Sequence, residues 1–291
     1  MPSTPVFPPS AESKIEDAGK SAVHANLAPA HYGVPWRGSD SGLPAANSPR
    51  LPPCRSRYLN ATPSFSTASA FTLAERQAVY RAIYERRDMR HFSGGTVDDA
   101  LLQRLLSAAH HAPSVGFMQP WRFIRIRSQP LRESVHALVE QERVLTAQAL
   151  GEREDDFMKL KVQGVLDAAE LLVVALPPGR EQHVFGRRTL PEMDLASAAC
   201  AIQNLWLAAR SEGLGMGWVS IFCPLQLGRL LRMPEGSKPI AVLCLGPVRA
   251  FYEQPMLQAE KWAHRADLAD MVFEDHWGQL TVPVAAVSQP D

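Results

Sequence analysis

Three apolar runs, at residues 171–176, 218–222 and 240–245, constrain the fold of this chain more than any other feature. Each falls far short of the roughly 20 residues that cross a bilayer. All three therefore read as strands buried in a sheet. The segments around them carry helical signals. Thr72-Leu-Ala-Glu75 has the form of a capping box, opening a helix with Val79 and Ile83 on one face that ends near Arg86. A similar signal, Thr96-Val-Asp-Asp99, opens a helix in which Leu101, Leu102, Leu105, Leu106 and Ala109 repeat at helical spacing until Pro113 stops it. Alternating apolar and basic residues over 121–127 predict another strand, followed after Pro130 by one or two helices reaching about Gly164. Asp194 is expected to cap a long helix with Leu195, Ala198, Ile202, Leu205 and Ala209 on its apolar face and Gly213 as its stop. Residues 225–231 read as a short helix. Helices and strands mix without strict βαβ alternation, so the class is α+β, with helices packed on a small sheet.

Composition divides the chain. Eleven of its 24 prolines fall in the first 70 residues, which show no helical or strand period. Residues 1–70 therefore read as a disordered extension, with Tyr32, Trp36 and Tyr58 as candidates for packing on the domain, and residues 71–291 as the folded unit. The extension has neither the apolar core of a secretory signal nor the Arg-rich amphipathic pattern of a transit peptide, and a cytoplasmic protein is expected. Thirty Lys and Arg balance 30 Asp and Glu. That balance argues against a protein that grips nucleic acid through its phosphates. No run long enough for a membrane span occurs. Cysteines 54, 200, 223 and 244 form no CxxC pair, so neither a disulfide scaffold nor a metal site is expected.

Several motifs bear on chemistry. Gly213-Leu-Gly215-Met-Gly217 follows a helix and precedes a strand, the reverse of the order a dinucleotide fingerprint requires. Its glycines instead suit a tight helix-to-strand turn and close backbone approach. His110 and His111 point about 100° apart on a helix and do not share a metal as an i, i+4 pair does. Glu85-Arg-Arg-Asp-Met-Arg90 places three arginines in five residues, which suits either a solvated charged face or a phosphate grip by forked hydrogen bonds. Pro113-Ser-Val-Gly-Phe-Met-Gln-Pro-Trp121 is either a connector anchored by Trp121 or a site-bearing loop with Ser114 and Gln119 as its polar side chains.

Taken in chain order, Arg86-Arg-Asp-Met-Arg-His-Phe92, the loop from Pro113 to Trp121 and the run from Gly213 to Trp218 resemble the FMN-site motifs of the nitroreductase-like flavoprotein family. Met193-Asp-Leu, Gln203-Asn-Leu-Trp-Leu-Ala-Ala-Arg210 and Gly217-Trp-Val-Ser-Ile-Phe222 are most similar to the branch of that family that consumes reduced FMN to make 5,6-dimethylbenzimidazole, the lower ligand of cobalamin. The likeness spans about residues 71–278. Two departures from ordinary nitroreductases point to the same branch. Asp88 stands where those enzymes usually carry serine, and Phe117 where they carry asparagine.

The resemblance implies an FMN-binding fold with helices around a small mixed sheet, in an intertwined homodimer. It implies an oxygen-dependent fragmentation of FMNH2 to 5,6-dimethylbenzimidazole and erythrose 4-phosphate, without a metal. FMNH2 is then a substrate, supplied by a separate flavin reductase that draws on NAD(P)H. The cofactor-binding set carried over is Arg86, Arg87, Asp88, Met89, Arg90, Ser114, Lys161, Ser220 and Arg265. Arg86 and Arg265 are expected to hold the phosphate, Arg90 to lie nearer the ring and Ser114 to fix the flavin edge. Lys161 reads equally as a pocket cation and as a surface lysine. Asp88 is expected to be the base that removes a ribityl proton, and Ser220 to sit near flavin N5. Two other readings stay open: an NAD(P)H-dependent nitro- or quinone reductase, against which Asp88 and Phe117 speak, and a non-catalytic flavin-binding protein.

Overall fold

The computed structural model describes residues 70–160 and 162–279. The proposed extension lies outside that range apart from Ala70, as do Cys54 and Lys161. Helix α1 (Leu73–Glu85) opens on the expected capping box: the Thr72 hydroxyl accepts the Glu75 N–H, and the Glu75 carboxylate accepts the Thr72 N–H at 2.8 Å. No residue of α1 is buried, and Val79 and Ile83 share a face that is exposed.

Helix α2 (Asp99–His110) starts two residues later than a Thr96 cap would require. Asp98 is the cap, accepting the N–H groups of Ala100 and Leu101 at 3.0 and 3.2 Å, and Asp99 pairs with Arg125 at 2.7 Å instead. Because α2 buries Leu102, Leu105 and Ala109, its cap is tied to the core. Asp98→Ala is expected to lower stability by about 1 kcal/mol, read as a lower Tm with an unchanged unfolding m-value.

Strand β1 (Arg122–Arg125) is followed by α3 (Gln129–Leu150), with Pro130 in its first turn, then by α4 (Glu154–Met158) and α5 (Gly164–Asp167). Strand β2 (Glu170–Leu176) is buried along its whole length. Helix α6 (Met193–Ser211) leads into β3 (Gly215–Val219), then α7 (Pro224–Leu230), β4 (Lys238–Gly246) and α8 (Met256–Ala259).

The four strands form one sheet in the order β1-β2-β4-β3, every pairing antiparallel. The mixed sheet implied by the family resemblance reduces, among the described residues, to an isolated parallel bridge between Asp88 and Met216. Alternate residues of β2 serve opposite layers. Leu172, Val174 and Leu176 face α2 and α6, while Leu171 and Val173 join a second cluster with Val135 and Val139 of α3 and Leu227 of α7. Covering both faces explains why this strand is continuously apolar rather than alternating.

Two boundaries differ from expectation. Asp194 lies inside the first turn of α6, where two arginines hold its carboxylate, and Glu192 occupies the cap position. Leu195 is exposed, whereas Ala198, Ile202, Leu205 and Ala209 are fully buried in the chain's own core. Gly213, at φ +75°, ends α6 as expected; its N–H donates to Arg210 O and that of Leu214 to Ala209 O at 2.8 Å. The next strand begins at Gly215 and ends at Val219, not at 218–222. No helix among the described residues is long and apolar enough to cross a membrane.

Candidate functional site

The segment leaving α1 lies beside β3. Met89 N–H donates to Met216 O at 2.9 Å, and the two backbones touch at Gly217, where a Cβ would stand 2.3 Å from Met89 O. Only glycine fits there. Met89 is buried with its side chain against Gly215, and the alternation of an extended segment turns Asp88 and Arg90 away from it. Asp88 Oδ1 accepts the Trp218 N–H at 2.9 Å, and Oδ2 pairs with the Arg90 guanidinium. Arg90 Nη2 also donates to Trp218 O at 3.3 Å, and its backbone N–H donates to the Tyr252 hydroxyl at 3.2 Å.

Asp88 is electrostatically poised. Burial raises its pKa above the ordinary carboxylate value, against the opposing pull of Arg90, the Trp218 N–H and Arg86. Its side chain remains 37% exposed, although both carboxylate oxygens are hydrogen-bonded. Beneath it, burial pushes the Cys244 thiol up to about 12, which leaves it an inert core thiol.

Arg86 stacks on Trp206, its Cζ 4.4 Å from the ring centroid, and its guanidinium has no hydrogen-bond acceptor among the described residues. Burial lowers its pKa and the positive charges of Arg87 and Arg265 add to the effect, while Asp88 opposes them. Arg265 likewise has no acceptor among the described residues. Arg86 is half-buried and Arg265 exposed, and a guanidinium pair of this kind suits a phosphate. A cavity of about 180 Å³ opens beside Arg90, Trp218 and Ser220, with Phe157 and Trp262 among its walls. Arg153 lies 3.4 Å over the Trp262 ring and donates to its carbonyl at 3.1 Å, tying the 151–158 region to the C-terminal segment. Arg86 and Arg265 would suit a flavin phosphate, and Arg90 and Ser220 line the cavity. A wider cleft of about 460 Å³ between α1 and the end of α6 contains none of the residues expected at the site.

The structure thus gathers Arg86, Asp88, Arg90 and Ser220, with Arg265 within electrostatic range of Arg86. Arg87 turns away: its guanidinium donates to the carbonyls of Tyr84, Arg86 and Glu253. Lys161 lies outside the described residues. Ser114 sits elsewhere, on a loop packed against the start of α6, and no hydrogen bond among the described residues links it to the Asp88 group. Its hydroxyl accepts the Gln119 N–H at 3.0 Å. The loop is strained: Gly116, Phe117 and Gln119 have φ of 50°, 54° and 50°. For the two non-glycine residues this costs of order 1–3 kcal/mol each. His110 and His111 are occupied singly, His110 accepting the Trp121 indole N–H and His111 bonded to Ser107 O. Sequence reasoning missed Trp218, whose main chain orients both charged groups, and Trp206 beneath Arg86. Neither has a signal in residue spacing, since one acts through its backbone and the other through a contact between distant elements.

Residues 83–247 match the family model described as Nitroreductase family. The chain belongs to that family. It is 37% identical to a 5,6-dimethylbenzimidazole synthase of Rhodobacter capsulatus over 194 residues, 66% of this chain and 94% of that one. A 5,6-dimethylbenzimidazole synthase of Rhodospirillum rubrum is also 37% identical, over 62% of this chain and 86% of its own. Among solved structures, a BluB-like flavoprotein from Clostridium difficile superposes with a TM-score of 0.51 at 18% identity, covering 65% of this chain and 99% of that one. The last comparison speaks for the fold.

Proposed function

We propose that this protein consumes FMNH2 and O2 and releases 5,6-dimethylbenzimidazole and erythrose 4-phosphate. Asp88 carries the proposal. A carboxylate stands where the family's usual serine is expected, pinned between Arg90 and the Trp218 N–H, and burial holds its proton affinity above that of a free aspartate. Such a group is a stronger base than a free aspartate, as a proton acceptor in carbon chemistry requires.

In this reading Arg86 and Arg265 bind the substrate phosphate, Arg90 neutralises developing charge near the ring and Ser220 steadies the edge lining the cavity. Phe157 and Trp262 exclude water. The flavin supplies the reducing equivalents that react with O2. The proposed protein is cytoplasmic, works with a separate NAD(P)H-dependent flavin reductase and is a homodimer. A second copy would cover the apolar face of α1, where Val79, Tyr80, Ile83 and Tyr84 are all exposed. It would also supply the Ser114 loop to the partner's Asp88 group, which the single chain leaves apart.

Anaerobic addition of FMNH2 followed by admission of O2, with mass spectrometry of the products, tests the reading. Dimethylbenzimidazole is expected in proportion to FMNH2 consumed. Quantitative recovery of FMN would replace this reading with that of a reductase or a flavin carrier.

A further inference from the structure

One turn of α6 holds two loops. Its Asp194 and Ser197 are both buried. Asp194 Oδ2 accepts Arg180 Nε–H at 2.8 Å and Arg187 Nη2–H at 3.0 Å, and Oδ1 accepts the Leu195 N–H at 2.6 Å. The two guanidiniums then collect carbonyls from the surrounding chain. Arg180 donates to Pro177 and Gly236, and Arg187 to Arg180 and Pro191. One carboxylate therefore serves as the shared counter-charge of two enclosed cations, and together they fix the path of residues 177–191. Removing it would leave both cations without a counter-charge in a low-dielectric setting.

Three residues further along the same helix, Ser197 Oγ donates to Met193 O at 2.6 Å and accepts the Val115 N–H at 3.0 Å. This anchors the Ser114 loop. The loops also interlock directly. A Cβ on Gly186 would stand 2.5 Å from Val115 Cγ2, and one on Gly116 would stand 2.9 Å from Phe185 O. Pressed from both sides, Gly116, Phe117 and Gln119 hold left-handed conformations, and the Gln119 N–H reaches the Ser114 hydroxyl.

We infer that Asp194 is a positioning residue for flavin binding: by locking 177–191 through Arg180 and Arg187, it imposes the shape of the loop that presents Ser114. The inference rests on the reading above, in which Ser114 meets the flavin edge. It concerns how tightly the substrate is held and leaves the chemistry at Asp88 untouched.

The test uses the full chain. In Asp194→Asn, the anaerobic Kd for FMNH2 and its KM should both rise about 10-fold or more, with kcat at saturation within about two-fold, because a displaced binding loop is costly even when the reacting groups are intact. Hydrogen exchange over 113–121 in the flavin-free protein should accelerate. Since Asp194→Asn risks unfolding, Ser197→Ala provides a milder arm that removes the Val115 anchor together with the bond to Met193 O and leaves both arginines paired, with KM up about 3-fold or more at unchanged kcat. Glu170→Gln, which breaks another buried carboxylate–arginine contact, at Arg125, is the control for general destabilisation and should leave KM unchanged. Reduced kcat with unchanged KM and Kd in Ser197→Ala and in folded Asp194→Asn would overturn the positioning role while the flavin reading stands. A parent protein that binds no FMNH2 would overturn both.

Discussion

Asp88→Asn is expected to slow dimethylbenzimidazole formation by about 10²–10⁴-fold, the usual contribution of a positioned general base, while FMNH2 still binds. Asparagine keeps the size of the side chain and an oxygen to accept the Trp218 N–H, so the 86–90 segment stays in place against β3. Arg86 and Arg265, the proposed phosphate ligands, are untouched. What disappears is the proton acceptor and the counter-charge to Arg90. A single-turnover measurement with pre-bound FMNH2 separates this loss from weaker binding. The pH profile gives an independent check. A base must be ionised, and burial holds the Asp88 proton above the ordinary carboxylate range. The parent kcat/KM should therefore fall on the acid side at a pH higher than a free aspartate would give, and the residual activity of Asp88→Asn should lack that limb. The stability linkage has a definite sign. Folded Asp88 keeps its proton to higher pH than the unfolded chain does, so its contribution declines as pH rises from the ordinary aspartate pKa through the raised one. Ser220→Ala should slow the reaction less, since Ser220 is exposed at the cavity edge and makes no hydrogen bond to Asp88 among the described residues.

The features legible in the sequence were those encoded locally. Thr72 with Glu75, the continuous apolar run of β2 and the Gly213 stop each act within a few residues, and the structure shows all three. Thr96-Val-Asp-Asp99 has the form of a capping box, yet Asp98 takes the cap, and only the position of Arg125 on β1 shows that Asp99 is engaged elsewhere. Asp194 has the composition of a cap, but its partners are Arg180 and Arg187, which approach from a loop whose course no periodicity reveals. The strand following α6 was placed three residues late for a related reason. Gly215 and Gly217 give no side-chain alternation, yet they are strand residues because Val248 and Met89 lie against them. At the site, the arginine cluster suits an anion or a solvated charged face, and its spacing does not choose between them. The sequence could not show that Arg87 serves the backbone, that Met89 is a core plug, or that Ser114 lies apart from Asp88, because each depends on how distant segments are brought together.

Gly217→Ala should be the most damaging single methyl group near the site. Its Cβ would fall 2.3 Å from the Met89 carbonyl oxygen, and neither side can yield by rotating a side chain, because both are main chain. Gly217 is held by pairing with Cys244 of β4, and Met89 by its N–H bond to Met216. Relief requires the 86–90 segment to move off β3, which lengthens Trp218 N–H to Asp88, a bond to a charged acceptor. Overpacking and that loss together are expected to cost about 3 kcal/mol or more, lowering Tm by about 6–12 °C for a domain of this size. Fragmentation activity should fall with it even at temperatures where the variant is folded, since Asp88 and Arg90 travel with the displaced segment. Gly215→Ala separates main-chain from side-chain crowding. Its Cβ would meet Val248 Cγ1 at 2.4 Å and Met89 Cγ at 3.0 Å, both side-chain atoms, and Val248 can change rotamer. It should therefore cost less and leave more activity than Gly217→Ala. Equal losses in the two variants would mean that general strand crowding, rather than the contact between Met89 and Gly217, holds the site in register.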